Sequence, residues 1–160
     1  TRGPAPAAVG LDRNGQMRIS ESDRCPVCAM RPHKHPKFAS AIELNDGRTF
    51  YFCGTGCMIR SYRHPEVFLE TSQTTITKAV TRDYFSGEPI DALTATWVAG
   101  SDVIGPMGPA LVPLKSAKGA ADFQKRHGGK HTFQLADLDD KKWFAITGKP
   151  AVPAEPSKSK

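Results

Sequence analysis

Strand-like and helix-like patterns alternate through the middle of the chain and fade toward both ends. In KFASAIELNDGRTFYFC, residues 37–53, two apolar-rich runs flank Asn45-Asp46-Gly47. That spacing predicts a β-hairpin, because glycine accepts the positive φ of a tight turn. GTGCMIRSYRHPEVFLE then reads as a turn and a short helix that stops before Pro65, whose ring disfavours helical geometry in the preceding residue. ITKAVTRDYF reads as a β-rich segment.

The same plan follows a second time. ALTATWVAG is a β-type run around Trp97. SDVIGPMGPA is a loop, since Gly105, Pro106, Gly108 and Pro109 do not belong together in regular structure. LVPLK is a strand edge. SAKGAADFQKRHGG predicts a helix with Ser116 as N-cap and Gly128-Gly129 as its stop. HTFQLADL closes as a strand or edge segment. The expected fold is therefore α+β: two small ββαβ-type units packed together, with antiparallel sheets and one helix each. Residues 21–88 form the first unit and 89–148 the second, repeating in pattern rather than in sequence. Residues 1–20, rich in Pro and Gly, are expected to be a flexible tether. Residues 149–160, KPAVPAEPSKSK, are expected to be a disordered tail.

Composition narrows the function classes. The 160 residues fit one domain or two very small ones. No apolar run approaches the ~18 residues of a membrane span. The chain opens at Thr1 without an initiator Met, and reads as a processed product from which any export signal has been removed. The net charge is +6, but the basic residues are scattered or terminal. No nucleic-acid partner is expected; a solvated basic surface, or docking on an acidic protein, is. All four cysteines lie within the first 57 residues, too few for a disulfide scaffold and clustered as for one shared site.

Cys25-Pro26-Val27-Cys28 has the C-x-x-C form, which binds metal or cycles as a dithiol. A thioredoxin-like setting needs a buried strand before it and a helix after it. Here the preceding segment is polar and the following one is broken by Pro32 and Pro36. In an extended chain Met30 and Cys28 would face one side, and thiolate with thioether selects Cu(I). The competing role for Met30 is core filler. His33 and His35 have the same alternating spacing, as metal ligands or as part of a solvated basic loop. Cys53 and Cys57 admit three readings: a shared metal site, a disulfide in an oxidising compartment, or a closed four-thiolate zinc centre that leaves Met30 unused. Met58 is expected in the core. Met107, between glycines and prolines, reads as an exposed thioether on a rigid loop. No G-x-S-x-G, H-E-x-x-H or phosphate-binding loop is present, and Glu88, Asp91 and Asp102 read as loop and capping residues. These residues point to a carrier rather than an enzyme.

Two resemblances sharpen this. Cys28-x24-Cys53-x3-Cys57, followed by SYRHPEVFLE, resembles the small metal-binding YHS or TRASH modules. Cys25-Pro-Val-Cys28-Ala-Met30, the hairpin AIELNDGRTFYF and GSDVIGPMGPALVPLKSAKGAADFQKRHGG resemble the NosL family, copper chaperones of nitrous oxide reductase maturation, over residues 22–138. The resemblance implies an exported, lipid-anchored periplasmic protein with two ββαβ units. It would bind Cu(I) and deliver it toward the copper–sulfur centre of nitrous oxide reductase, docking on a membrane ABC-type assembly complex, and a monomer is expected. The implied sulfur ligands are Cys28, Met30 and Met107, with Cys25 as the near alternative. Cys53 and Cys57 depart from many members and leave room for a larger site, a second metal or a disulfide. The alternatives are a zinc-stabilised or thiol-redox module of the YHS/TRASH type, and a lyase resembling the organomercurial lyases, for which no acid group is well placed.

Overall fold

The computed structural model describes residues 5–105, 108–148 and 150. The first sheet starts with the hairpin of β1 (Ser40–Leu44) and β2 (Thr49–Phe52), paired Ser40 to Phe52 through Glu43 to Thr49. Gly47 takes φ 95° in the turn. The Asp46 carboxylate accepts from the Arg48 backbone N–H at 3.0 Å, which closes the turn locally. After β2 comes α1 (Thr55–Arg63), then α2 (Pro65–Phe68). Pro65 both ends α1 and opens α2, where its missing N–H costs nothing. β3 (Ile76–Arg82) returns beside β1, and β4 (Pro89–Asp91) beside β3, giving the antiparallel order β2-β1-β3-β4.

The second unit contains β5 (Thr96–Ala99), the two-residue strands β6 (Ile104–Gly105) and β7 (Gly108–Pro109), β8 (Val112–Leu114), α3 (Ala117–His127) and β9 (His131–Phe133). Its antiparallel sheet has the order β8-β5-β9. The Ser116 hydroxyl accepts the Gly119 N–H at 3.1 Å, and Gly128 ends α3 at φ 78°. Counting β6–β7 as a side hairpin, each unit runs strand, strand, helix, strand. The fold is α+β with two antiparallel sheets.

Strand alternation sorts the side chains into layers. Ile42, Leu44, Phe50, Phe52 and Ala79 leave one face of the first sheet and meet Met58 and Ile59 of α1. Trp97, Ala99 and Phe133 leave the facing side of the second sheet and join the same core, with the Trp97 and Phe133 rings stacked at 6.4 Å. Val98, Val112 and Leu114 point the other way, onto Ala120 and Phe123 of α3. Each such buried aliphatic or aromatic side chain contributes about 1.5–3 kcal/mol, so this shared core joins the units. Thr55 Oγ1 adds a donor bond to the Leu111 carbonyl at 2.6 Å.

Four expectations need correction. Residues 5–19 are not a free tether. Met17, with Ala7, Leu11 and Ile19, covers Ala39, Ala41, Tyr51 and Val80 on the outer face of the first sheet. Ala7 N–H donates to the Thr49 carbonyl at 2.7 Å, and Tyr51 Oη donates to Val9 O at 2.9 Å. An exposed sheet face with these apolar residues favours a cover, and the Pro-rich segment supplies it. The unit boundary at residue 89 cuts through the first sheet, because β4 pairs with β3 from Arg82–Pro89 to Val80–Asp91. The helix α4 (Asp140–Thr147) was not anticipated. It buries one side chain, Trp143, and so lacks the apolar stripe that advertises a helix. Finally, Ala29 sits at φ 67°, so Cys28 and Met30 do not share the face of an extended strand. Residues 106–107 and the tail, Pro150 apart, lie outside the described residues.

Candidate metal centre

Two short segments supply the sulfur atoms. The first is a closed turn: Cys25 N–H donates to the Met30 carbonyl and Ala29 N–H to the Cys25 carbonyl, each at 2.8 Å. Arg24 Nη1 also donates to the Ala29 carbonyl at 3.1 Å. Pro26 favours the start of such a turn through its fixed φ, and the left-handed Ala29 completes it. The second segment is the passage from β2 into α1. Cys53 follows the last residue of β2, Gly54 is the N-cap of α1, and Cys57 lies in its first turn.

These segments converge. The Sγ atoms of Cys25, Cys28, Cys53 and Cys57 all lie within 4.8 Å of one another. Cys28 and Cys53 approach to 3.3 Å, and Cys53 and Cys57 to 4.0 Å. A disulfide needs about 2.05 Å, and all four are free thiols. Tetrahedral thiolates at ~2.3 Å from one ion would stand about 3.8 Å apart, inside the observed spread. Cys25, Cys53 and Cys57 are buried in the shared core and Cys28 is half-buried.

Crowding splits the thiols electrostatically. The Cys25 thiol is pulled far below its ordinary value, first by the Cys53 and then by the Cys57 side chain as hydrogen-bond donors, against burial. The backbone N–H groups of Cys53 and Cys28 add to this. Cys53 and Cys57 are pushed up, chiefly because they donate to Cys25. The cluster thus holds one negative charge readily and resists further ionisation. A cation among the sulfurs removes that resistance.

The other candidates fall as follows. Met30 is half-buried and packs against the core that contains Cys25, Cys53 and Cys57. His33 lies in a 3-10 turn, Pro32–Lys34, with His35 as its C-cap, and neither belongs to the four-sulfur group. Met58 is fully buried in the core. Met107 lies outside the described residues. Asp91 accepts the Leu93 N–H at 2.8 Å, Asp102 pairs with His127 at 2.9 Å, and Glu88 lies 3.8 Å from Lys115; these are turn and surface roles.

A cleft of about 540 Å³ lies between the units, and Cys57 lines it. So do Thr55 of α1, Gly105 and Pro109 of the small hairpin, His131 of β9 and Trp143 of α4. Sequence reasoning missed this cleft, because it is made by packing between distant segments. The cysteine spacings did carry a signal for the cluster, but their convergence required the β1–β2 hairpin to bring the chain back.

No helix among the described residues is long and apolar enough to cross a membrane. No match was found among curated proteins. Among solved structures the chain resembles one titled as the crystal structure of the copper chaperone NosL from Shewanella denitrificans, with a TM-score of 0.65 and 19% identity, covering 80% of this chain and 98% of that one. That likeness speaks for the fold. The family model NosL matches residues 16–143, spanning the cysteine cluster, both sheets and the start of α4. The chain belongs to the NosL family.

Proposed function

We infer that this protein is a metallochaperone: it binds Cu(I) through its cysteine cluster and delivers it for assembly of the copper–sulfur centre of nitrous oxide reductase. The observation that carries the reading is four free sulfur atoms within 4.8 Å of one another, inside a member of this family. Thiolates are soft ligands and favour Cu(I). The apolar side chains packed around Cys25, Cys53 and Cys57 limit the access of water to the bound ion. Cu(I) is satisfied by a low coordination number, so four sulfurs exceed its need, and a spare thiolate eases exchange with an acceptor. Met30 and Met107 are proposed as neutral thioether donors that adjust the hold on the ion. The protein turns nothing over. Its work is to bind, shield and release. The periplasm is the proposed compartment, with a lipid anchor on the precursor and a membrane ABC-type complex as docking partner.

Titration of the reduced protein with Cu(I) against a competing chelator tests this. Cys28→Ser and Cys53→Ser combined should weaken binding at least about tenfold, equivalent to ~1.4 kcal/mol, with the fold kept by circular dichroism. Met107→Ala at wild-type affinity would remove the thioether from the ligand set. No Cu(I) uptake by the reduced wild type would overturn the copper reading.

One observation favours a second reading. A complete set of four convergent cysteines also suits a closed tetrahedral zinc site, with a structural role. Metal analysis of protein purified without added copper separates the two. Stoichiometric zinc that resists exchange with Cu(I) supports the structural centre; metal-free protein that then loads Cu(I) supports the carrier.

A further inference from the structure

The four cysteines do not border the same openings. Cys57 lines the cleft between the units, whereas Cys25 borders a separate hollow formed by residues 5, 6, 8 and 22–26. Neither Cys28 nor Cys53 lines either opening.

His131 lines that same cleft. It belongs to β9, an edge strand of the second sheet, paired with Ala99. In a strand, residues two apart share a face. Phe133 points into the shared core, so His131 points to the same side, toward the first unit. His64 and His127 are held by Asp140 and Asp102 at 2.8 and 2.9 Å. Among the described residues the half-buried His131 ring has no hydrogen-bond or ion-pair partner. Lys130 and Arg60 put positive charge on the cleft walls, which opposes the passage of a bare cation.

Resting on the copper-carrier reading, we propose that the ion leaves through this cleft, with Cys57 as the last sulfur and His131 as a transit ligand. A neutral imidazole suits copper. At the transit step the ion keeps its bond to Cys57. One bond to another thiolate breaks, one bond to an imidazole nitrogen forms, and the freed thiolate takes a proton from water. The ion stays monovalent and no electron moves. An acceptor donor entering the cleft then displaces His131 and Cys57 in turn. The positive walls make this ligand-to-ligand route easier than release of a free ion.

Stopped-flow removal of Cu(I) from the loaded protein by bicinchoninate, beside the equilibrium affinity measured with the same chelator, is the test. His131→Ala should slow removal about tenfold, equal to ~1.4 kcal/mol on the barrier, while the affinity changes less than twofold. His131→Met, which restores a donor, should recover most of the rate. Ala145→Trp, which narrows the cleft at an exposed wall residue, should slow both loading and removal without touching any donor. Wild-type removal rates in His131→Ala and Ala145→Trp together would overturn the route. A rate loss matched by an equal affinity loss would make His131 an equilibrium ligand and also overturn it. If the wild type takes up no Cu(I), the carrier reading itself falls; if it loads normally and only the variants fail to respond, the route alone falls.

Discussion

Asp83 is the sharpest test of how the two units are held. The residue is 4% exposed, and its carboxylate accepts four hydrogen bonds. Oδ2 takes the Phe85 N–H at 3.1 Å, the Ser86 N–H at 2.9 Å and Ser86 Oγ at 3.1 Å. Oδ1 takes the Lys115 N–H at 2.8 Å, from the residue just after β8. Beside it the Tyr84 N–H reaches the Pro113 carbonyl at 2.9 Å. One side chain therefore shapes the turn after β3 and ties it to the second sheet. Hydrogen bonds to a charged group contribute ~1.5–3 kcal/mol each, but Phe85 and Ser86 are exposed and regain water when the carboxylate is lost. Asp83→Ala should then cost about 2–4 kcal/mol and Asp83→Asn, which keeps the shape and one acceptor oxygen, about 1–2 kcal/mol. Burial raises the Asp83 pKa, but the donors from Ser86, Lys115 and Phe85 outweigh it and leave it below 3.8. A carboxyl depressed in the folded state stabilises fully above its unfolded value and loses that contribution as pH falls through the folded one. Urea unfolding of the reduced, metal-free protein, followed by tryptophan fluorescence, measures both effects. The gap between wild type and Asp83→Asn should close as the pH drops below 3.8. A gap unchanged in acid, or an Asp83→Ala cost under about 0.5 kcal/mol, would refute the reasoning.

Trp143 anchors α4 in the core, but its buried Nε1–H has no partner among the described residues; Trp143→Ala should cost ~3–5 kcal/mol in the same assay, and Trp143→Phe, which removes the orphan donor, under ~1.5 kcal/mol. A Cβ on Gly129 would stand 2.4 Å from Val98 Cγ1 at φ +144°, whereas one on Gly47 meets nothing within 4 Å. Gly129→Ala should therefore destabilise the protein by about 1–3 kcal/mol more than Gly47→Ala through overpacking, read as a lower thermal midpoint. Loading an ion at neutral pH should release protons, because the raised Cys53 and Cys57 thiols must ionise in order to coordinate it. Calorimetry in buffers of different ionisation enthalpy detects them, and the absence of any release would mean that these two thiols stay protonated and unbound.

What could be read in advance was local. Asn45-Asp46-Gly47, Ser116 and Gly128 act within a few residues of themselves, so their turn and caps were visible as sequence. Residues 5–19 were misread because their partners are remote: Arg18 N–H and Val9 O both meet the Tyr51 hydroxyl, more than thirty positions along. α4 did carry a legible frame, with the Asp139 side chain capping Lys142 N–H at 2.7 Å and Gly148 in the left-handed region. Its weak apolar face drew attention away from those caps. At the metal centre the cysteine spacings signalled soft-metal chemistry, but pairwise spacing cannot say that two pairs meet. Ala29 shows the limit most plainly: one left-handed residue turns the Cys28–Met30 geometry from an extended one into a turn.

Among the described residues the turn from Cys25 to Met30 has no strand partner, and its backbone–backbone bonds, Cys25 N–H to the Met30 carbonyl and Ala29 N–H to the Cys25 carbonyl, stay within it. Cys53, directly after β2, and Cys57, in the first turn of α1, are by contrast tied to elements already locked into the core. An ion gripped by both pairs would act as a clasp between a firm half and a loose half. Unloading should therefore show first as faster amide exchange across residues 25–30, and an acceptor would meet a site that slackens on one side as it empties.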